Sequence, residues 1–351
     1  MGGHTTDGAG LASGEAVLHA LVEAYEKGWT PTDLVHVTQK AHGRAVAQLA
    51  IWAILYDAAR TRATERAPLP WVRGLTQLSQ LRGDTSQVST DMQRAALARL
   101  WRNLPALPTA SAPPSQWPTR RVDLGVPPAV EPLVLAHLQR LLAHAEATGF
   151  VEEAENFTAD AQDLMTRYSL AQALRDDPDR TALRTRRVRL EEPYVKEKAL
   201  LLSEVAEANG VRTVWHNELG LASIVGAEVD LAQTELLFAS LLVQADWAIQ
   251  QATESNRSFR KALLFGFAVR VGQRVREAGL RATAAVAREA NLEPAELLPL
   301  IANRAEAVDE YYVRLFPVTR PTGASRLDTV GRGTHARSNR SPRPGSREAT
   351  G

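Results

Sequence analysis

The fold is decided between Pro132 and Leu174, where the chain reads PLVLAHLQRLLAHAEATGFVEEAENFTADAQDLMTRYSLAQAL. Apolar residues recur at helical spacing on both sides of a short turn at 148–150. Glu152 and Glu153 follow that turn, where the positive end of a helix dipole favours carboxylates. The stretch predicts two amphipathic helices joined as a hairpin over 132–175. Neither helix can bury its apolar face alone, so we expect each to pack on the other or on a further layer.

The residues before the hairpin predict an all-helical domain. Residues 1–12 are rich in Gly and Thr and are predicted to be disordered, whereas helical patterns fill 13–104. Thr30 and Asp33 fit the N-cap and N3 positions of a capping box. Gly43 is predicted to separate two helices.

Eight prolines lie between 105 and 132. Proline removes a backbone donor and biases the preceding residue towards extended structure, so no helix is predicted here. We interpret 105–131 as a semi-rigid linker, with a Pro-rich ligand for a partner domain as the alternative.

The residues after the hairpin, 184–316, predict a small α+β domain. Three strands are predicted at Arg184–Leu190, Val211–His216 and Leu221–Val225, and the last two form a hairpin candidate. Helices are predicted at about 193–209, 228–250, 258–278, 281–290 and 294–315. The helix 258–278 is apolar almost all round, which predicts burial on every side. The whole fold is therefore expected to be mainly α with a small α+β domain.

The last segment, 317–351, is predicted to be a disordered tail. From residue 318 onward it holds seven Arg against Asp328 and Glu348, with few large apolar residues. Such a tail favours nucleic acid electrostatically, although it has no aromatic residue to stack on bases. The alternative is a disordered tail with no partner.

Composition excludes several classes of function. The chain has no Cys, which excludes disulfides and thiolate chemistry, and its net charge is only +1. His137 and His144 are two turns apart with no carboxylate at ligand spacing, so no metal site is predicted. P-loop, dinucleotide-binding and serine-hydrolase motifs are absent, so no cofactor and no catalytic residue are predicted. With no signal-like N-terminus and no apolar run long enough for a membrane span, we expect a cytoplasmic protein.

The hairpin also resembles a known family. Leu141-Leu142, Ala145-Glu146-Ala147-Thr148, Glu152-Glu153-Ala154-Glu155 and Ala161-Gln162-Asp163-Leu164-Met165 match, at fixed spacing, the pattern of the bacterial family called domain of unknown function 2786. The region down to Phe316 looks like the companion domain that often follows in these proteins. The resemblance implies a two-part protein of unknown biochemical role and supplies no catalytic residues.

Two groups of residues are candidate binding sites. Glu146, Glu155 and Gln162 are the polar residues within the matched pattern, and they form either a solvated surface or a contact surface for a partner or for the second domain. The second group, Arg257, Ser258, Arg260 and Lys261, stands at a helix start. Cations there oppose the helix dipole, so an anionic partner such as a phosphate would relieve the conflict. An ordinary exposed helix start is the alternative.

Three hypotheses for function follow. The first is a non-catalytic cytoplasmic interaction or adaptor protein that binds another protein, because helices dominate and catalytic motifs are absent. The second is a nucleic-acid-associated protein that uses the basic helix start and the 318–351 tail. The third is an enzyme with its site between the hairpin and the α+β domain, involving Glu146, Glu155 or His216. The first is preferred, which makes an enzyme the less favoured reading.

Overall fold

The computed structural model describes residues 5–83, 90–121, 130–175, 182–252, 256–291, 294–317, 320–322 and 327–329. It is mainly α-helical and contains one small sheet, which confirms the predicted fold class. Within the described ranges, no helix is long and apolar enough to cross a membrane.

The N-terminal part consists of helices α1 (Thr5–Glu26), α2 (Pro31–Arg60), α3 (Ala63–Arg66), α4 (Leu69–Gln80) and α5 (Asp91–Arg102). The predicted capping box is present: the Thr30 hydroxyl accepts from the backbone N–H of Asp33, and the Asp33 carboxylate accepts from that of Thr30. Gly43 interrupts α2 with a φ of 77°, at the predicted break. The buried faces form an alanine-rich core around Trp29 and Trp101.

The first helix starts earlier than the sequence suggests. Disorder is predicted over 1–12, yet α1 extends back to Thr5. Leu11 and Ala12 are good helix formers, and each glycine inside a helix costs only about 1 kcal/mol relative to Ala. An established helix can therefore propagate backwards through this stretch.

The segment 105–121 packs on these helices, so the predicted linker is wrong for this part of the chain. The indole Nε1 of Trp29 donates to the carbonyl oxygen of Pro105 at 2.8 Å. Trp117 is buried, and its ring meets Trp71 edge-on at 5.1 Å between centroids. The apolar anchors placed between the prolines hold the segment against the core.

The helical hairpin comprises α6 (Pro132–Ala147) and α7 (Val151–Arg175). Leu138 and Leu142 of α6 and Met165 of α7 belong to a second hydrophobic core. Most of the other residues of this core come from the α+β domain. The predicted hairpin is therefore confirmed, and its further packing layer is that domain.

The sheet is built on three antiparallel strands, β1 (Leu183–Arg189), β2 (Arg212–His216) and β3 (Leu221–Ala227), in the order β1-β3-β2. Two short strands, β4 (Arg320–Thr322) and β5 (Leu327–Thr329), extend the sheet, and β5 pairs in parallel with β2. These two strands fall in the segment predicted as a disordered tail. Strand β5 occupies the edge of β2, whose backbone groups would otherwise be open to another strand, and β4 pairs with β5. The rest of the tail lies outside the described residues.

Four helices complete the fold: α8 (Val195–Ala208), α9 (Glu228–Gln251), α10 (Arg257–Glu289) and α11 (Pro294–Leu315). Two expectations for α10 are wrong. It continues through the break predicted near 278–281, and it is not buried on every side. Gly279 is compatible with the continuous helix. A Cβ built at this position would lie 3.5 Å from the side chain of Thr166 in α7, which is an ordinary contact distance.

The two cores meet at the sheet. Leu221, at the start of β3, is fully buried in the N-terminal core. His36 of α2 lies with its Nε2 atom 3.0 Å from the carbonyl oxygen of Gly220. Arg187 of β1 forms a buried ion pair with Asp33 of α2. The N-terminal helices are therefore fixed to the strands by polar as well as apolar contacts.

Candidate functional site

A cavity of about 320 Å³ lies between the hairpin and the helices α9 and α10. Most of its lining is apolar, and large side chains come from the two long helices of the α+β domain and from Phe150 in the turn of the hairpin. They include Leu241, Trp247, Phe267 and Val271. The ionisable groups in the lining are Glu146, Glu155, Arg270 and Arg274. The cavity thus has the composition of a small-molecule pocket, with apolar walls and a few charged groups.

Glu155 holds the charged groups together. Arg270 donates to its carboxylate through Nε at 2.6 Å and through Nη2 at 3.1 Å, and Nη1 of Arg274 lies 2.6 Å from Oε2. The hydrogen bond from Arg270 is the main cause that lowers the pKa of Glu155; partial burial opposes it and the two Arg charges add to it. Both carboxylate oxygens are engaged. The group is ionised and poorly suited to donate a proton at neutral pH.

The other two hairpin candidates have different surroundings. Glu146 borders the same cavity but is exposed. Gln162 is buried outside it, and its Nε2 donates to Thr166 of α7 and to Asn209 at the end of α8, at 3.1 Å each. Gln162 therefore ties the hairpin to the second domain, as Glu155 does through its two Arg partners.

The basic helix start is largely exposed. Arg257, Ser258 and Lys261 face solvent, and Arg260 is half-buried. Neither Arg257 nor Lys261 forms an ion pair with any residue that the structure describes. The N-cap position is filled by Asn256, whose side chain accepts from the N–H of Phe259 at 2.7 Å. The structure thus brings these cations together, at a site separate from the hairpin candidates Glu155 and Gln162.

His216 lies in the sheet, away from the cavity lining. Its Nε2 atom is 2.8 Å from the hydroxyl of Ser223, and its ring lies 6.1 Å from that of Phe316. Burial is the main cause that lowers the pKa of His216 to about 4, and the charge of Arg187 lowers it further. The three residues of the enzyme hypothesis are therefore not assembled: Glu146 and Glu155 share the cavity, and His216 does not.

One face of α10 exposes large apolar side chains. Phe265 is 52% exposed and Leu280 is 72% exposed, and Phe259 and Val269 are also on the surface. Nothing lies within 4 Å of a Cβ built on Gly266, so the described structure leaves open space there. We call this set of residues (Phe259, Ala262, Phe265, Gly266, Val269 and Leu280) the outer face of α10.

Sequence reasoning missed the cavity partners and the outer face. Arg270 and Arg274 are four residues apart on a predicted helix, which places them on one side of it, but no local signal connects them with Glu155. The apolar residues of α10 are evident in the sequence, yet periodicity alone does not distinguish a helix buried on all sides from one with an uncovered apolar face.

Comparison with known proteins supports the family resemblance in the hairpin. Residues 134–172 match the model of a family described as "Protein of unknown function (DUF2786)". No curated protein and no solved structure matches the chain. The match covers the hairpin, and the resemblance of the downstream region to a companion domain stays a prediction.

Proposed function

We propose that this chain is a non-catalytic, cytoplasmic interaction protein that binds another protein through the outer face of α10. The observation that supports this is the exposure of Phe265 and Leu280 together with Phe259 and Val269 on one helix. Single exposed apolar residues are ordinary, but a set that repeats along one helical face is typical of a contact surface.

The spacing of these residues suits a partner helix. Phe259, Ala262, Gly266 and Val269 follow one another at steps of three, four and three, as in the seam of a coiled coil, and Leu280 lies on the same side of the helix beyond the polar residues Gln273 and Arg276. The small residues Ala262 and Gly266 leave room for a second backbone to approach closely. The large side chains flank this gap, so a helix laid along α10 would cover them.

The cavity favours binding over catalysis. Its partly buried carboxylate, Glu155, is already paired with two guanidinium groups. Catalysis by paired carboxylates needs one group that exchanges protons near neutral pH, and a lowered pKa removes that ability. The enzyme hypothesis is therefore the weaker one.

Photo-crosslinking tests the proposal. A photoreactive phenylalanine analogue at Phe265 is expected to crosslink to one defined protein in cells of the native host. The same analogue at Arg281, exposed on another side of α10, is the matched control. The substitution V269E should abolish the Phe265 crosslink, since a buried carboxylate without a partner opposes association. Equal crosslinking from both positions would contradict the proposal.

Nucleic-acid association is a second candidate. It is favoured by the exposed cations Arg257 and Lys261, for which the described residues supply no ion pair. It is also favoured by the Nε atom of Arg260, which is buried without a hydrogen-bond partner among the same residues. Phosphate contacts from these residues and from the 318–351 tail would make binding fall steeply with salt. Deleting 318–351 should flatten the salt dependence. If neither DNA nor RNA is retained at low salt, this candidate fails.

A further inference from the structure

We propose that the cavity between the hairpin and helices α9 and α10 binds a small amphipathic carboxylate, with its apolar body inside and its anion against Arg270 and Arg274. This site is separate from the outer face of α10. None of the residues of that face is in the cavity lining, although Gly266 precedes Arg270 by about one turn. The inference therefore goes beyond the proposed protein contact and does not depend on it.

The apolar part of the ligand is indicated by the walls. Trp247, Phe267, Leu241 and Val271 surround a volume of about 320 Å³, at the lower end of the roughly 300–1,000 Å³ of small-molecule pockets. The uncharged polar side chains in the lining already bond within the protein: Gln244 donates to Thr158 at 3.3 Å, and Thr148 donates to Glu153. An aliphatic chain or a single aromatic ring suits such walls better than a sugar or a nucleotide.

The anion is indicated by the two guanidinium groups. Glu155 uses Nε and Nη2 of Arg270 and Nη1 of Arg274. Each guanidinium carries five N–H donors, so donors on Nη1 of Arg270 and on Nε and Nη2 of Arg274 have no partner among the described residues. Two guanidinium groups therefore face one partly buried carboxylate, and the net charge of these three groups is +1.

Glu146 is the other acidic side chain in the lining. It is exposed, so water and salt screen its repulsion of a bound carboxylate. A ligand carboxylate that bridges Arg270 and Arg274 would therefore match the positive charge of these two side chains. A cationic ligand would meet the two guanidinium groups at close range.

Three probes of equal chain length test the inference by calorimetry on the full chain: octanoate, 1-octanol and octylammonium. The expected order of affinity is octanoate, then octanol, then octylammonium. Equal affinity for octanoate and octanol would overturn the assignment of an anion site. No binding of octanoate would overturn the inference entirely.

Variants locate the site. R270M should weaken octanoate binding by roughly fivefold and leave octanol binding unchanged, a size expected for a partly exposed charge pair. E155Q should strengthen octanoate binding by a similar factor, because it removes the internal carboxylate that competes for the two guanidinium groups. R281M, elsewhere on α10, is the matched control and should change neither.

Filling the cavity provides the remaining test. A248W places a large ring at a position in the lining, and binding of both octanoate and octanol should be lost. Unchanged octanoate binding in A248W, or weaker octanoate binding in E155Q, would overturn the assigned location or the assigned role of the arginines. Thermal melting of each variant shows that it is folded. The outcome is independent of the Phe265 crosslink, so either proposal can fail alone.

Discussion

The guanidinium of Arg187 reaches from β1 into the N-terminal helices, where its Nε atom lies 2.7 Å from Oδ2 of Asp33. Both side chains are only 2% exposed. Arg187 also donates to the carbonyl oxygens of Gly28 and Pro108. Arg187 thus supplies hydrogen bonds to one carboxylate and two backbone carbonyl groups that the fold has removed from water. Without the guanidinium group, these acceptors would be buried and unpaired.

Removing the Arg187 charge should therefore destabilise the chain strongly. R187M is expected to lower the free energy of unfolding by about 3 kcal/mol or more, since it leaves a buried carboxylate uncompensated. The control is R189M, because Arg189 lies 4.0 Å from Asp33 and is far more exposed; its expected cost is below about 1 kcal/mol. Urea unfolding measures both. Equal losses would show that burial of the Arg187 pair is not the stabilising factor.

His216 should make stability depend on pH. Burial lowers its pKa in the folded chain to about 4, below the value of about 6.5 expected when unfolded. Between these two pKa values, the unfolded chain therefore binds more protons than the folded chain does. The stability that a neutral His216 provides is complete above pH 6.5 and is lost as the pH falls towards 4. H216Q should remove this part of the pH dependence, measured by urea unfolding, and NMR titration of the imidazole gives the pKa directly. An NMR pKa near 6.5 would contradict the prediction.

Some contacts between polar residues can be predicted from the sequence, and others cannot. The Thr30–Asp33 capping box was predictable because its members are three residues apart. The pairs Asp33–Arg187 and Glu155–Arg270 were not, since each joins segments more than a hundred residues apart and no local pattern connects them. Sequence therefore identified Glu155 as a candidate without revealing its partners.

Among the elements, the hairpin and the three central strands were predictable because each has a complete local signal. Helical spacing with a turn predicts α6 and α7, and alternation with Asn and Gly turn residues predicts β2 and β3. Helix α10 differs because its apolar residues cover most of its circumference. Whether such a face is buried depends on what packs on it, which is a tertiary property.

Adjacent residues of α10 allow a direct test of that difference. Leu264 is buried and Phe265 is exposed. L264A should lower the free energy of unfolding by about 3 kcal/mol through lost burial and a cavity, whereas F265A should cost less than about 1 kcal/mol in the purified chain. Chemical denaturation measures both variants. A cost for F265A as large as that for L264A would mean that the outer face is packed within the chain itself.

In the whole molecule, two helical cores share one small sheet. Sequence predicted two parts joined by a Pro-rich linker, but the described part of that linker packs through Trp117, and Leu221 of β3 completes the N-terminal core. These contacts hold the parts together while leaving the outer face of α10 free of described neighbours around Gly266. The molecule therefore presents an apolar helical face outward.

The absence of cysteine makes that face directly measurable. Single-cysteine variants F265C and R281C place one thiol on the outer face and one on another side of α10. In the purified chain, both thiols should react with a maleimide at similar rates, because both positions are exposed. In intact cells of the native host, we expect Cys at 265 to be protected and Cys at 281 to react freely. Equal labelling of the two positions in cells would contradict the account.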